Sequence, residues 1–152
     1  MGHMQRSSHV NILASRPSLI LFRVFITVCG LIAVYSGIDI GFGGLASLGM
    51  QTGGEFFAIT DADRFSQQDN HIRFVGGVWL GLGFVILLCA ARPGPMKKTL
   101  YAIIFAVWVG GIARLSIGDM DVITGPDAIG SVLLEVVGMP LVALWLSRLR
   151  LD

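Results

Sequence analysis

Gly110-Gly111-Ile112-Ala113-Arg114 closes one apolar run, Gly118-Asp119-Met120-Asp121 follows as an acidic turn, and Ala128-Ile129-Gly130-Ser131-Val132-Leu133-Leu134-Glu135 opens the next run. Arg114 and Glu135 each lie inside a stretch long enough to cross a bilayer. A charge at the centre of a membrane helix costs about 2.5–3.5 kcal/mol on insertion scales, so such residues generally face other helices and find a partner there. This stretch therefore predicts membrane helices that bring opposite charges together.

Composition agrees with that reading. Of 152 residues, 54% are hydrophobic and only 14% charged, whereas a soluble domain carries about 25% charged residues. Mean hydropathy is +0.76. Twenty glycines fit membrane helices, where glycine is commoner than in soluble ones. A net charge of +1, with no basic cluster able to track phosphates, excludes nucleic acid as a partner.

Four apolar segments stand out, at about Ser18–Ile38, Phe74–Ala91, Leu100–Ile117 and Ala128–Leu146. Each has close to the ~20 residues that cross ~30 Å of hydrocarbon at 1.5 Å per residue. Lipid offers the main chain no hydrogen-bond partners, so the segments must be helices unless they form a closed barrel. No series of ~10-residue alternating strands is present for a barrel. The expected fold is all-α: one domain over residues 1–152, built as a four-helix transmembrane bundle. Met1-Gly2-His3-Met4 reads as a vector remnant with Met4 as the native start. The first apolar run is too long for a cleaved signal and reads as a retained anchor.

Basic residues orient the chain. Arg6, Arg16 and Arg23 precede or open the first span, Arg92, Lys97 and Lys98 fill the second connection, and Arg148 and Arg150 follow the last span. The first and third connections are acidic. The positive-inside bias predicts cytoplasmic termini and a multi-pass protein of a bacterial inner membrane. The long first connection, about Asp39–His71, lies outside on this reading. Its glycine-rich half, Gly41–Gly54, is expected at the interface or against the bundle. In its second half Thr60-Asp61-Ala62-Asp63 supplies a capping signal that starts the second helix near Asp61. Pro17 reads as the start of the first helix, and Pro93 and Pro95 close the second.

Small residues at three- and four-residue spacing let membrane helices approach closely. The predicted seams are Gly30, Ala33 and Gly37; Arg73, Gly77 and Gly81; Ala102, Ala106, Gly110 and Arg114; and Ser131, Glu135 and Gly138. The last three each carry a charge. Arg114 lies roughly 5 Å, and Glu135 roughly 10 Å, from the outer ends of their helices, and arginine's stem covers the difference. An Arg114–Glu135 contact is expected in the outer half, with Arg73 as a second cation at its mouth and Asp69, His71 and Ser131 around it.

Two readings of that cluster remain. It can be a purely structural ion pair that fixes helix register, as polar pairs between membrane helices contribute only about 0.6–2 kcal/mol. Alternatively, two arginines against one carboxylate leave a positive pocket suited to an amphiphile with an anionic or accepting head: a lipid, a fatty acid or a quinone. The corresponding partners are the bilayer, an amphiphilic ligand, a homo-oligomer or a membrane partner subunit. No metal or other cofactor is expected. The histidines are His3, His9 and His71, of which only His71 (beside Asp69) lies away from the N-terminus. No nucleophile–base set is apparent, so the reading leans away from an enzyme. Cys29 and Cys89 read as small buried hydrophobes at different depths rather than a disulfide.

With those residues in view, the chain resembles a bacterial family of small four-span membrane proteins classed as a domain of unknown function. The likeness rests on Asn70-His71-Ile72-Arg73-Phe74-Val75-Gly76-Gly77, Leu80-Gly81-Leu82-Gly83, Gly110-Gly111-Ile112-Ala113-Arg114-Leu115-Ser116 and Glu135. A looser similarity is to the DoxX-like four-helix group, some of which serve as redox-complex subunits. The resemblance implies a bundle and draws attention to Arg73, Arg114 and Glu135. It implies no substrate.

Overall fold

The computed structural model describes residues 6–47, 59–126 and 128–151, with side chains from Pro17 onward. The described residues are mainly helical, and none forms a strand. Helix α1 runs Arg6–Gly43, α2 Ala62–Ala91 and α3 Lys97–Arg114. Two short helices follow, α4 at Met120–Thr124 and α5 at Ile129–Leu133, and then α6 at Met139–Arg148. Helices long and apolar enough to cross a membrane are Pro17–Ala46, Ala62–Ala91, Lys97–Ile117 and Ile129–Arg148. In each, only 22–28% of the most apolar window is buried inside the protein. Exposed Ile20, Leu21, Phe74, Phe105 and Leu141 are what a hydrocarbon solvent accommodates, whereas water would make such a surface an aggregation site.

The helices claim more of the chain than the apolar runs suggest. Both ends of the expected first connection are helical, since α1 continues through Asp39 to Gly43 and α2 already contains His71. The start of α2 is where the capping signal places it: the Arg64 N–H donates to Asp61 Oδ1 at 3.0 Å, and Arg64 pairs with Asp61 at 3.2 Å. Residues 48–58 of that connection, which include the end of the glycine-rich stretch Gly41–Gly54, lie outside the described residues, as does Asp127. Pro17 corrects the sequence reading. It lies inside α1, not at its start, and so denies the Leu13 carbonyl its usual donor.

Contacts group the chain into two units, Met1–Phe25 with Cys89–Asp152, and Ile26–Leu88. In the second unit, α1 packs on α2 through glycine. A Cβ on Gly37 would lie 2.5 Å from the Leu80 Cα, one on Gly76 2.6 Å from the Gly41 Cα, and one on Gly83 2.7 Å from the Val34 nitrogen. Main chain thus meets main chain, which is how membrane helices gain dispersion energy when lipid tails compete equally for apolar side chains.

In the first unit α3 packs on α6 and on the turn before it, around Leu100, Ile103, Ile104, Val132, Val142 and Leu146. Trp145 ties α6 to the beginning of the first span. Its Nε1 donates to Ser18 Oγ at 3.0 Å, and its ring meets Phe22 edge-on at 5.2 Å. Arg23 donates through Nε to the Ala90 carbonyl at 3.0 Å and through Nη2 to that of Ala91 at 3.4 Å. It thereby satisfies carbonyls that the end of α2 leaves without donors.

Two of the predicted seams fall on the wrong face. Nothing lies within 4 Å of a Cβ placed on Gly77, Gly81 or Gly110, while Gly76, Gly83 and Gly111 make the close approaches. Ala102 and Ala106 are exposed. Both errors arise at a Gly-Gly pair, where each member begins a four-residue ladder on a face about 100° from the other. The first-span seam of Gly30, Ala33 and Gly37 is buried throughout.

Candidate functional site

Arg114 is the last residue of α3, and Glu135 lies in the fourth span between α5 and α6. Arg114 Nε donates to Glu135 Oε2 at 2.7 Å and Nη2 donates to Oε1 at 3.2 Å, a two-point guanidinium–carboxylate clamp. The Glu135 side chain is 16% exposed and that of Arg114 is 52% exposed. Gly111 makes the approach possible: a Cβ there would lie 2.6 Å from the Glu135 Cβ and 3.1 Å from its carbonyl carbon. Glycine is needed one turn before the arginine so that the two main chains can come this close.

The fourth span is not a uniform α-helix. Over Leu134–Gly138 it widens by one residue into a π turn, and the Met139 N–H donates to the Leu134 carbonyl five residues back. Pro140 supplies the reason. In a regular helix its ring would crowd the carbonyl of Val136, and it has no N–H to give. The helix opens just before it, then resumes as α6 with Pro140 in the first turn, where proline is tolerated. Single π turns often mark functional sites, and this one holds Glu135. The Gly138-Met139-Pro140 triplet inside an apolar run is the sequence signal for it, and reading that run only by length and polarity passes over it.

Arg73 is placed differently from the sequence expectation. Its Nε donates to Asp69 Oδ2 at 2.6 Å, Nη1 donates to the Phe42 carbonyl, and Nη2 to that of Gly43 at 3.4 Å. The other Asp69 oxygen accepts the Leu45 N–H at 2.7 Å. Arg73 and Asp69 thus cap the end of α1, whose chain turns through Gly44 at φ +67°. A Cβ on Gly44 would run into Asp69 Oδ1 and lie 2.9 Å from Arg73 Nε. The spare positive charge that two arginines against one carboxylate would have left is absent, because each guanidinium has its own acid.

The remaining candidates do less. Ser131 Oγ donates to the Ala128 carbonyl at 2.8 Å and Ser116 Oγ to that of Ala113 at 2.7 Å, both within their own helical turns. His71 is exposed on α2. Among the described residues no group of three metal-ligating side chains occurs. Cys29 and Cys89 are free thiols. Asp39, assigned to the first connection from sequence, lies in α1 with Oδ2 buried and without a hydrogen-bond partner among the described residues.

Comparison with curated proteins finds no match, and comparison with solved structures finds none. A family description does match, over residues 21–146. The matched region contains the Asp69–Arg73 cap, the Gly111 approach, the Arg114–Glu135 clamp and the π turn. By that match the chain belongs to the family described as Domain of unknown function (DUF4345).

Proposed function

We propose that this is a multi-pass protein of the bacterial inner membrane, with both termini cytoplasmic, that binds a small amphiphile at the Arg114–Glu135 pair. The observation that supports this best is the donor balance of Arg114. A guanidinium carries five N–H groups, and the clamp on Glu135 uses one on Nε and one on Nη2. Among the described residues nothing accepts from Nη1. Half-exposed donors on an apolar surface suit an oxygen-bearing head whose tail lies among the exposed aliphatic side chains around it. The arrangement supplies no nucleophile beside a base, which favours binding, transport or sensing over catalysis.

Native mass spectrometry from a mild detergent tests this. An amphiphile is expected to remain bound to the wild-type protein and to be lost from Arg114→Ala, with helicity unchanged. A wild-type protein that retains nothing, in any lipid from which it is extracted, overturns the proposal.

A second reading is an accessory or assembly subunit whose Arg–Glu pair only fixes register. The open faces of Gly77 and Gly81 favour it, because close-packing residues unused within the chain are available to another helix. On that reading the same spectra show a ligand-free oligomer, and Gly81→Leu dissociates it.

A further inference from the structure

One end of the first unit collects charge that the sequence divides between two segments. The turn over residues 92–96 joins α2 to α3. It is closed by the Met96 N–H donating to the Arg92 carbonyl and the Lys97 N–H donating to that of Gly94, each at 3.2 Å. Residues 149–151 fold against it: Leu149 is buried, and a Cβ on Gly94 would lie 2.8 Å from the Leu151 carbonyl oxygen. Arg92 lies two residues from Gly94, and Arg150 lies next to Leu151. At about 3.8 Å per Cα step, Arg92 and Arg150 therefore start no more than roughly 18 Å apart.

Neither segment is a basic tract by itself. The contact joins them into one patch of Arg92, Lys97, Lys98, Arg148 and Arg150, and among the described residues none of these pairs with an acid. Arg92, Lys98, Arg148 and Arg150 are exposed. Arg23 is held at the same end by the carbonyls of Ala90 and Ala91. The first turn of α3 adds to the imbalance. It holds Lys97 and Lys98 but no acid, and Met96 gives no side-chain cap, so both charges oppose the dipole of their own helix. A positive potential left uncompensated in this way draws an anion from outside the chain.

The neighbouring surface says which anion. Leu141, Leu144 and Arg148 recur on α6 at three- and four-residue spacing and share a face, and both leucines are exposed. A molecule lying along that face meets aliphatic side chains and then a guanidinium, the order of acyl chain and phosphate in a phospholipid. Guanidinium and ammonium groups both hold phosphate oxygens well. We propose that this end binds the phosphodiester head of an anionic phospholipid, with an acyl chain along Leu144 and Leu141. The site lies at the opposite end of α3 from Arg114 and stands whether or not an amphiphile binds there.

Trp145, one turn before Arg148, reports on it. In a Trp79→Phe, Trp108→Phe background Trp145 is the sole tryptophan of the chain. Its quenching by phospholipids brominated near the head, in symmetric vesicles mixing phosphatidylglycerol with phosphatidylcholine, gives the relative affinity of the two lipids. Phosphatidylglycerol is expected to be favoured about fivefold or more, the yield of one basic residue at an anionic surface. Arg148→Gln with Arg150→Gln, and separately Arg92→Gln with Lys98→Gln, should each bring that preference to about twofold or less. Gly94→Val keeps every charge but pushes the Leu151 segment off the turn, and should lower the preference as well. Arg64→Gln, near the far end of α2, should leave it unchanged.

Equal binding of the two lipids by the protein with its charges intact points to an acidic protein partner instead and overturns the proposal. A preference that either double variant leaves intact, that Gly94→Val does not touch, or that Arg64→Gln lowers equally also overturns it. So does displacement of the lipid by soluble glycerol phosphate, which would make the ligand a free phosphate.

Discussion

At the scale of single residues, the site depends on what is missing as much as on what is charged. Gly111 lacks a side chain where one would press on Glu135, and Pro140 lacks the hydrogen that would close the turn around it. Neighbouring glycines make this testable. Gly111→Ala forces a Cβ to within 2.6 Å of the Glu135 Cβ and is expected to cost about 1–3 kcal/mol, the usual penalty for overpacking. Gly110→Ala meets nothing within 4 Å. It should be neutral or slightly stabilising, since alanine exceeds glycine in helix propensity by about 1 kcal/mol. Unfolding in mixed micelles, followed by circular dichroism, compares the two. Equal destabilisation would mean that the close approach at Gly111 is not made.

At the scale of elements, the end of α1 is held by its neighbour. A helix leaves its last carbonyls without donors, and here Arg73 supplies two, to Phe42 and Gly43, while Asp69 holds both the arginine and the N–H of Leu45. Gly44→Ala is expected to cost about 1–2 kcal/mol for the left-handed backbone alone, and more for the collision with Asp69. Arg73→Ala should increase hydrogen exchange in the last turn of α1 while the amides around Leu100–Ile104 keep their protection. Uniform loss of protection would contradict a local capping role. The fourth span shows a different kind of element-level control, in which Pro140 follows a π turn over Leu134–Gly138 that holds Glu135.

At the scale of the whole molecule, the alternation of basic and acidic connections makes a topological prediction. In a Cys29→Ala, Cys89→Ala background, Asp121→Cys should react with a membrane-impermeant maleimide in intact cells. Lys98→Cys should react only after permeabilisation. The reverse pattern would invert the orientation and put the Arg114 end of α3 on the cytoplasmic side. The Arg114–Glu135 contact would persist, but its access would change from the outer to the inner leaflet.

The sequence by itself determined the four stretches long and apolar enough to cross a membrane, the start of α2 at its acidic cap and the meeting of Arg114 with Glu135. Hydrophobic length, capping chemistry and the cost of an unpaired charge in hydrocarbon are properties of short stretches. Only the tertiary structure decided which member of each Gly-Gly pair faces a neighbour, because that choice is a rotation of about 100° that spacing alone leaves free. It also decided that Arg73 caps α1, since the carbonyls of Phe42 and Gly43 are its partners only once α1 and α2 pack together, whereas its pairing with Asp69 is an i,i+4 contact within α2. The π turn stands between these cases. Pro140 announces a break in the helix, but only the geometry places the widened turn over Leu134–Gly138, around Glu135.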